Sequence, residues 1–177
     1  MQHKCKMTVL RKEVYPDLQA QYLADPQSGP CPFYEEGQEF WFERYGGQDD
    51  FWQMGRGTQC SEAWDAVSRY IYTALQGGSI MRGWTNDEKM MIACCSDGTR
   101  PVIFKIERID YKALIIDGVG CDGCRRKIEA ALRAVDGVED VRFRDAFTEA
   151  WLGRDVPDEA LKAAVEGCGA YAVTRID

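Results

Sequence analysis

Cys121 and Cys124 stand two residues apart in Asp117-Gly118-Val119-Gly120-Cys121-Asp122-Gly123-Cys124-Arg125-Arg126-Lys127. This spacing puts both sulfurs within reach of one ion when the loop runs straight into a helix. Cys124 is then expected in the first turn, where unpaired backbone N–H groups and the positive dipole end favour a thiolate over a thiol. Arg125, Arg126 and Lys127 push the same way. Glycines at 118, 120 and 123 let the backbone fold tightly around the pair. Zinc, copper(I) and mercury(II) all accept such a two-sulfur clip. The spacing also serves dithiol redox chemistry, so a reducible disulfide, or a motif that no longer binds metal, is the alternative.

The other sulfurs are scattered. Ser28-Gly29-Pro30-Cys31-Pro32 fixes Cys31 in a proline-flanked turn. Cys60 lies where a helix should begin, a position that favours a thiolate although nearby Glu62 opposes it. Cys94 and Cys95 are adjacent on an expected strand, so one should face the core and the other a pocket or solvent. Cys5 and Met7 read as core. Cys168, in Gly167-Cys168-Gly169-Ala170-Tyr171, is a third thiolate for the clip or a free thiol. His3 is the only histidine, so metal chemistry rests on sulfur and a histidine triad is excluded.

The elements that position these residues follow from periodicity. Residues 4–14 alternate as a strand, with Cys5, Met7 and Val9 on one face. A short helix is expected over Asp17–Ala24 and a strand over Glu39–Tyr45. A polar loop over Gly46–Gly57 carries Phe51, Trp52 and Met54, which mark a binding surface or fold back on the core. The helix from Thr58-Gln59-Cys60-Ser61 to Gln76 has the apolar stripe Trp64, Val67, Ile71 and Leu75 and stops at Gly77-Gly78. A hairpin of Lys89–Cys95 and Pro101–Ile109 follows.

The chain has 177 residues, 45% of them apolar and 29% charged, with a net charge of −7. That suits a globular α+β protein of two small domains, 1–110 and 111–177, and argues against long disorder and against nucleic acid as a partner. No apolar run approaches the length of a membrane span, and Met1-Gln2-His3-Lys4-Cys5 lacks an apolar signal region. A cytoplasmic location is the expectation. Eight cysteines in a reducing compartment are then ligands, reactive thiols or small core residues before they are a disulfide framework.

With its glycine-flanked C-x-x-C, the stretch 111–177 resembles the heavy-metal-associated domain of copper chaperones, P-type metal ATPase arms and mercury-binding proteins. It matches that domain's order throughout: a strand Tyr111–Asp117, the metal loop, a helix Arg125–Val135, strands Val138–Arg144 and Thr148–Leu152, a helix Pro157–Glu166 and a strand Tyr171–Arg175. The resemblance implies a ferredoxin-like βαββαβ fold with Leu132, Val135, Val138 and Val141 packing helix on sheet. It also implies soft-metal binding, copper(I) or zinc first, at Cys121 and Cys124. Val119 stands where that family usually has Met. Residues 4–110 resemble an uncharacterised family of short bacterial and archaeal proteins. The residues that carry this are Gly29-Pro30-Cys31-Pro32, Glu36-Gly37-Gln38-Glu39-Phe40, Cys60 with Ala63-Trp64, and the run from Cys94-Cys95-Ser96-Asp97-Gly98-Thr99-Arg100 to Arg108. No activity comes with it.

Three functions follow. In the first, the C-terminal domain captures a soft ion and delivers it to, or senses it for, the N-terminal domain, where Cys31, Cys60 and one of Cys94 or Cys95 receive it. In the second, the N-terminal domain is a thiol- or metal-dependent enzyme. Cys60 or Cys31 is its nucleophile, and Asp97, Arg100, Glu36 or Glu39 are its acid–base or orienting groups. In the third, Arg125, Arg126 and Lys127 dock the loop on an acidic metal-handling partner; the same residues also fit a solvated helix face. Oligomeric state is not legible.

Overall fold

The computed structural model describes residues 1–44, 51–56 and 59–177. The chain divides into two compact units, His3–Arg108 and Ile109–Asp177 with Met1–Gln2. Each has its own buried apolar cluster.

In the first unit, alternation along β1 (Gln2–Lys12) buries Cys5, Met7 and Val9. Antiparallel β2 (Glu39–Glu43) sets Phe42 opposite Cys5 and Phe40 opposite Met7, so these four pack on one face. Lys4, expected on the polar face, is fully covered and pairs with Glu43 at 3.4 Å. α1 (Pro16–Tyr22) opens on proline, whose missing N–H costs nothing there. Its buried Gln19 side chain donates to Gly29 O at 2.9 Å and accepts from Gly29 N at 3.0 Å, which pins the turn leading into Cys31.

α2 (Ser61–Leu75) buries Ala63, Val67, Ile71, Ala74 and Leu75, a stripe at helical spacing, and gives way at Gly77 with φ of 73°. Trp64 is only half-buried, its ring 5.9 Å from that of Phe42 and 5.3 Å from that of Phe51. Of the aromatic loop expected over 46–57, residues 46–50 and 57 lie outside the described ones; Phe51 folds onto the core and Trp52 is exposed. β3 (Met90–Cys94) pairs antiparallel with β4 (Val102–Asp117), Ala93 opposite Phe104. Two successive strands were expected over 101–117. The backbone instead runs as one strand of 16 residues, because no glycine or proline interrupts Val102–Asp117.

The second unit continues from the later residues of β4 through α3 (Asp122–Arg133), β5 (Val138–Phe143), β6 (Thr148–Leu152), α4 (Asp158–Gly167) and β7 (Ala172–Ile176). β4 pairs antiparallel with β6 and with β7, and β5 pairs antiparallel with β6, so the strands lie in the order β7-β4-β6-β5. Ile128 and Leu132 of α3 and Leu161 and Val165 of α4 pack with Leu114, Val141, Ala150 and Leu152 of the strands. This core holds the start of α3, and with it the C-x-x-C loop, against the sheet. Among the described residues, no helix is long and apolar enough to cross a membrane.

Candidate functional site

α3 starts at Asp122, earlier than the Arg125 expected, because Cys121 is its cap. The extended backbone of Cys121 places its Sγ as acceptor for the N–H of Cys124 at 3.3 Å. Sulfur thus does what a serine or aspartate oxygen does at most helix starts. The same geometry brings the two Sγ atoms to 3.1 Å of each other. Cys121 is exposed and Cys124 half-buried.

The Cys124 thiol is pulled down from 9.0 to about 7, first by the hydrogen bond Cys121 donates, then by the Tyr171 hydroxyl and the backbone of Gly120. Tyr171, as donor to Cys124, is itself pushed up to about 12. Beside the expected pull of the helix start and the basic triplet, hydrogen bonds aimed at the sulfur lower it. Tyr171 is the candidate site residue that sequence reasoning passed over. Its loop, Gly167–Tyr171, had been singled out only for Cys168.

A tight approach of backbone brings Tyr171 to the sulfurs. Gly118 has φ of 91°, and a Cβ there would lie 2.8 Å from Ala170 O. Of the three glycines expected to shape the loop, this one has no substitute; Gly120 faces open space. Val119 is half-buried against the unit's core. Cys168 Sγ donates to Val165 O at 3.2 Å and packs on that core.

Among the described residues, no three histidine, cysteine, aspartate or glutamate side chains gather where they could hold one ion. Cys168 is therefore not brought to the clip as a third ligand. Arg125, Arg126 and Lys127 are exposed, and none has a carboxylate within ion-pair distance among the described residues. Arg125 stacks 5.7 Å from the Phe143 ring centroid.

In the other unit the structure brings Cys31, Cys60, Cys95, Asp97 and Arg100 around one cavity of about 490 Å³. Cys31 and Cys60 are half-buried and Cys95 is buried, whereas Cys94 is exposed and lies outside the lining. The strand alternation thus resolves the pair, with Cys95 inward. Cys95 Sγ accepts from Val102 N at 3.3 Å. Cys60 is the cap of α2, without a side-chain cap bond.

Buried Tyr34 joins this wall. Its hydroxyl donates to Gln59 Oε1 at 3.0 Å and accepts from Cys60 N at 3.1 Å, and burial pushes its own titration upward. No periodic signal pointed to Tyr34 or Gln59. Glu36 instead accepts from Lys12 N at 2.9 Å and Glu39 pairs with Lys6 at 3.0 Å, so neither candidate lines the cavity. Among the described residues the three thiols do not converge into an ion-holding group. Cys5 is fully buried, and desolvation pushes its thiol well up, away from chemistry.

Residues 113–146 match the family model of the heavy-metal-associated domain. The matched stretch runs from β4 through α3 to just past β5 and contains both clip cysteines. No curated protein and no solved structure matches the chain. This match supports soft-metal binding and transfer in general.

Proposed function

We propose that the chain captures a soft heavy-metal ion between the thiolates of Cys121 and Cys124 and passes it on by ligand exchange. In this reading residues 111–177 form a ferredoxin-like heavy-metal-associated domain, and 1–110 form a second domain. The observation that carries it is the paired sulfurs, 3.1 Å apart at the surface, with Cys124 held near 7 by donors aimed at it. At neutral pH the Cys124 sulfur is then about half anion before the ion arrives, and binding releases the remaining thiol protons.

Geometry favours copper(I). Zinc in a closed site takes four ligands, and the described residues supply no group of even three. Soft thiolates select copper(I), which two sulfurs can hold. The exposed Cys121 can yield to an incoming thiolate, which bonds the ion before the old bond breaks, so the ion is never free. Arg125, Arg126 and Lys127 would steer an acidic metal-handling partner to that edge and make the encounter salt-sensitive.

Metal analysis of protein purified without oxygen tests the reading. Wild type and Cys31→Ser/Cys60→Ser should both carry the ion, and Cys121→Ser/Cys124→Ser should not. Metal kept by the last variant, or lost from the Cys31/Cys60 variant alone, would move the site to the other unit.

A further inference from the structure

We propose that the cavity beside the start of α2 is a second site, one that binds a small organic carboxylate and presents it to the thiols of Cys31, Cys60 and Cys95. Its volume of about 490 Å³ falls within the roughly 300–1,000 Å³ of small-molecule sites. Three sulfurs that do not converge on a point suit a molecule that spans them better than an ion.

Arg100 is the anchor. Its Nε donates to Asp97 Oδ2 at 3.0 Å, which fixes the guanidinium plane. Asp97 also accepts from Thr99 N at 2.9 Å, Thr99 Oγ1 at 2.8 Å and Arg100 N at 3.3 Å. These donors hold its carboxyl below the usual carboxylate range, chiefly through Thr99 against a desolvation that opposes them. Asp97 is thus engaged along its own loop. The outer Nη1 and Nη2 of Arg100 have no protein partner among the described residues, and a guanidinium held at Nε with that edge open matches the two oxygens of a carboxylate.

Two further features of the wall favour an acceptor. Among the described residues, Gln59 Nε2 is buried without a hydrogen-bond partner, a state that proteins rarely leave uncompensated. The N-terminus of α2, 15 residues long, contributes the positive end of its dipole. Glu62 opposes this, but it is exposed, where solvent and salt screen it. One guanidinium and no lysine in the lining favour a singly charged carboxylate over a phosphate. Phe33, Pro32 and Val102 give the ligand's carbon skeleton apolar surface.

Parallel alkylation of the full-length reduced protein with iodoacetate and iodoacetamide, read peptide by peptide by mass spectrometry, tests this. In both reactions a thiolate sulfur bonds the reagent CH₂ as the C–I bond breaks. Iodide leaves with the bonding pair, and the thiol proton goes to solvent. The ratio of the two rates at one cysteine therefore cancels that thiol's own reactivity. Exposed Cys94, outside the cavity, is the reference within the same chain.

The iodoacetate to iodoacetamide ratio at Cys31 or Cys60 should exceed that at Cys94 by about tenfold or more, the worth of one charge-assisted hydrogen bond. Alkylation there should saturate with iodoacetate and be slowed by acetate but not by acetamide. Arg100→Met should bring the ratio down to that of Cys94, and Gln59→Leu, which alters no charge, should lower it in part. A wild-type ratio no higher than that at Cys94, or no protection by acetate, overturns the site. So does an elevated ratio that survives Arg100→Met. If Arg100→Met does not fold, Gln59→Leu and acetate protection decide. Cys121 and Cys124 report in a separate peptide, so this result and the metal result stand or fall apart.

Discussion

At the start of α3 two sulfurs lie 3.1 Å apart on the surface, whereas at the start of α2 three line a cavity without converging. Both helices have a cysteine as cap, Cys121 and Cys60. Three residues on, α3 has Cys124 and α2 has fully buried Ala63. A cap cysteine becomes a clip when the third helical residue supplies a second sulfur on the solvent side. Where that residue is a core alanine, the sulfur is left to work with groups from other segments. Position within the helix start is shared; the neighbour at that one place separates a surface sulfur pair from a cavity wall.

The largest effect should be in thiol accessibility. Cys121 should react with iodoacetamide at least about 10³-fold faster than Cys5, which is reached only when its unit opens, an event that costs several kcal/mol. Timed labelling with peptide mapping measures this, and comparable rates would mean that the β1–β2 face is not a packed core. Next is the scaffold of the clip. Leu132→Ala empties a fully buried place beneath α3 and should cost about 2–5 kcal/mol in denaturant unfolding; a change under 1 kcal/mol, that is, below about 1 kcal/mol, would detach α3 from the core described.

On the cavity side, Tyr34→Phe removes the hydroxyl that ties Gln59 to the Cys60 N–H. It should cost about 1–3 kcal/mol through the unsatisfied groups it leaves and should leave Cys124 alkylation unchanged. An equal effect on both sites would blur the distinction between them.

The smallest effect should be in titration. Alkylation of Cys124 should rise with a midpoint near 7 in place of the ordinary 9.0. Its folded value is depressed, so the stabilisation of the thiolate by its donors is complete above the ordinary value and lost as pH falls through about 7. Tyr171→Phe should move the midpoint upward, and Cys121→Ala further, since the bond from Cys121 is the first cause. A midpoint that ignores both variants would return the effect to the helix dipole.

The clip was legible in the sequence because its chemistry is local. Two sulfurs and a helix start follow from spacing within a few residues. Leu132, Val141 and β6 over Thr148–Leu152 were legible through the family resemblance, whose order of elements places them. The join at 109–111 was not, because a strand boundary needs a breaker and that stretch has none. Neither was Tyr171, whose reach to Cys124 depends on how closely Gly118 and Ala170 approach. The cavity lay further still from spacing. It joins residues from three separate segments, 31–34, 59–62 and 95–102, and only the strand alternation at Cys94 and Cys95 hinted at which thiol would face inward.

The most direct measurement is a copper(I) titration of oxygen-free, reduced protein against a coloured competing chelator, wild type beside Cys121→Ser/Cys124→Ser. The account predicts that wild type withdraws about one ion per chain from the chelator, as a soft dithiolate should, and that the double variant withdraws none. Equal withdrawal by both proteins, or none by either, would contradict it.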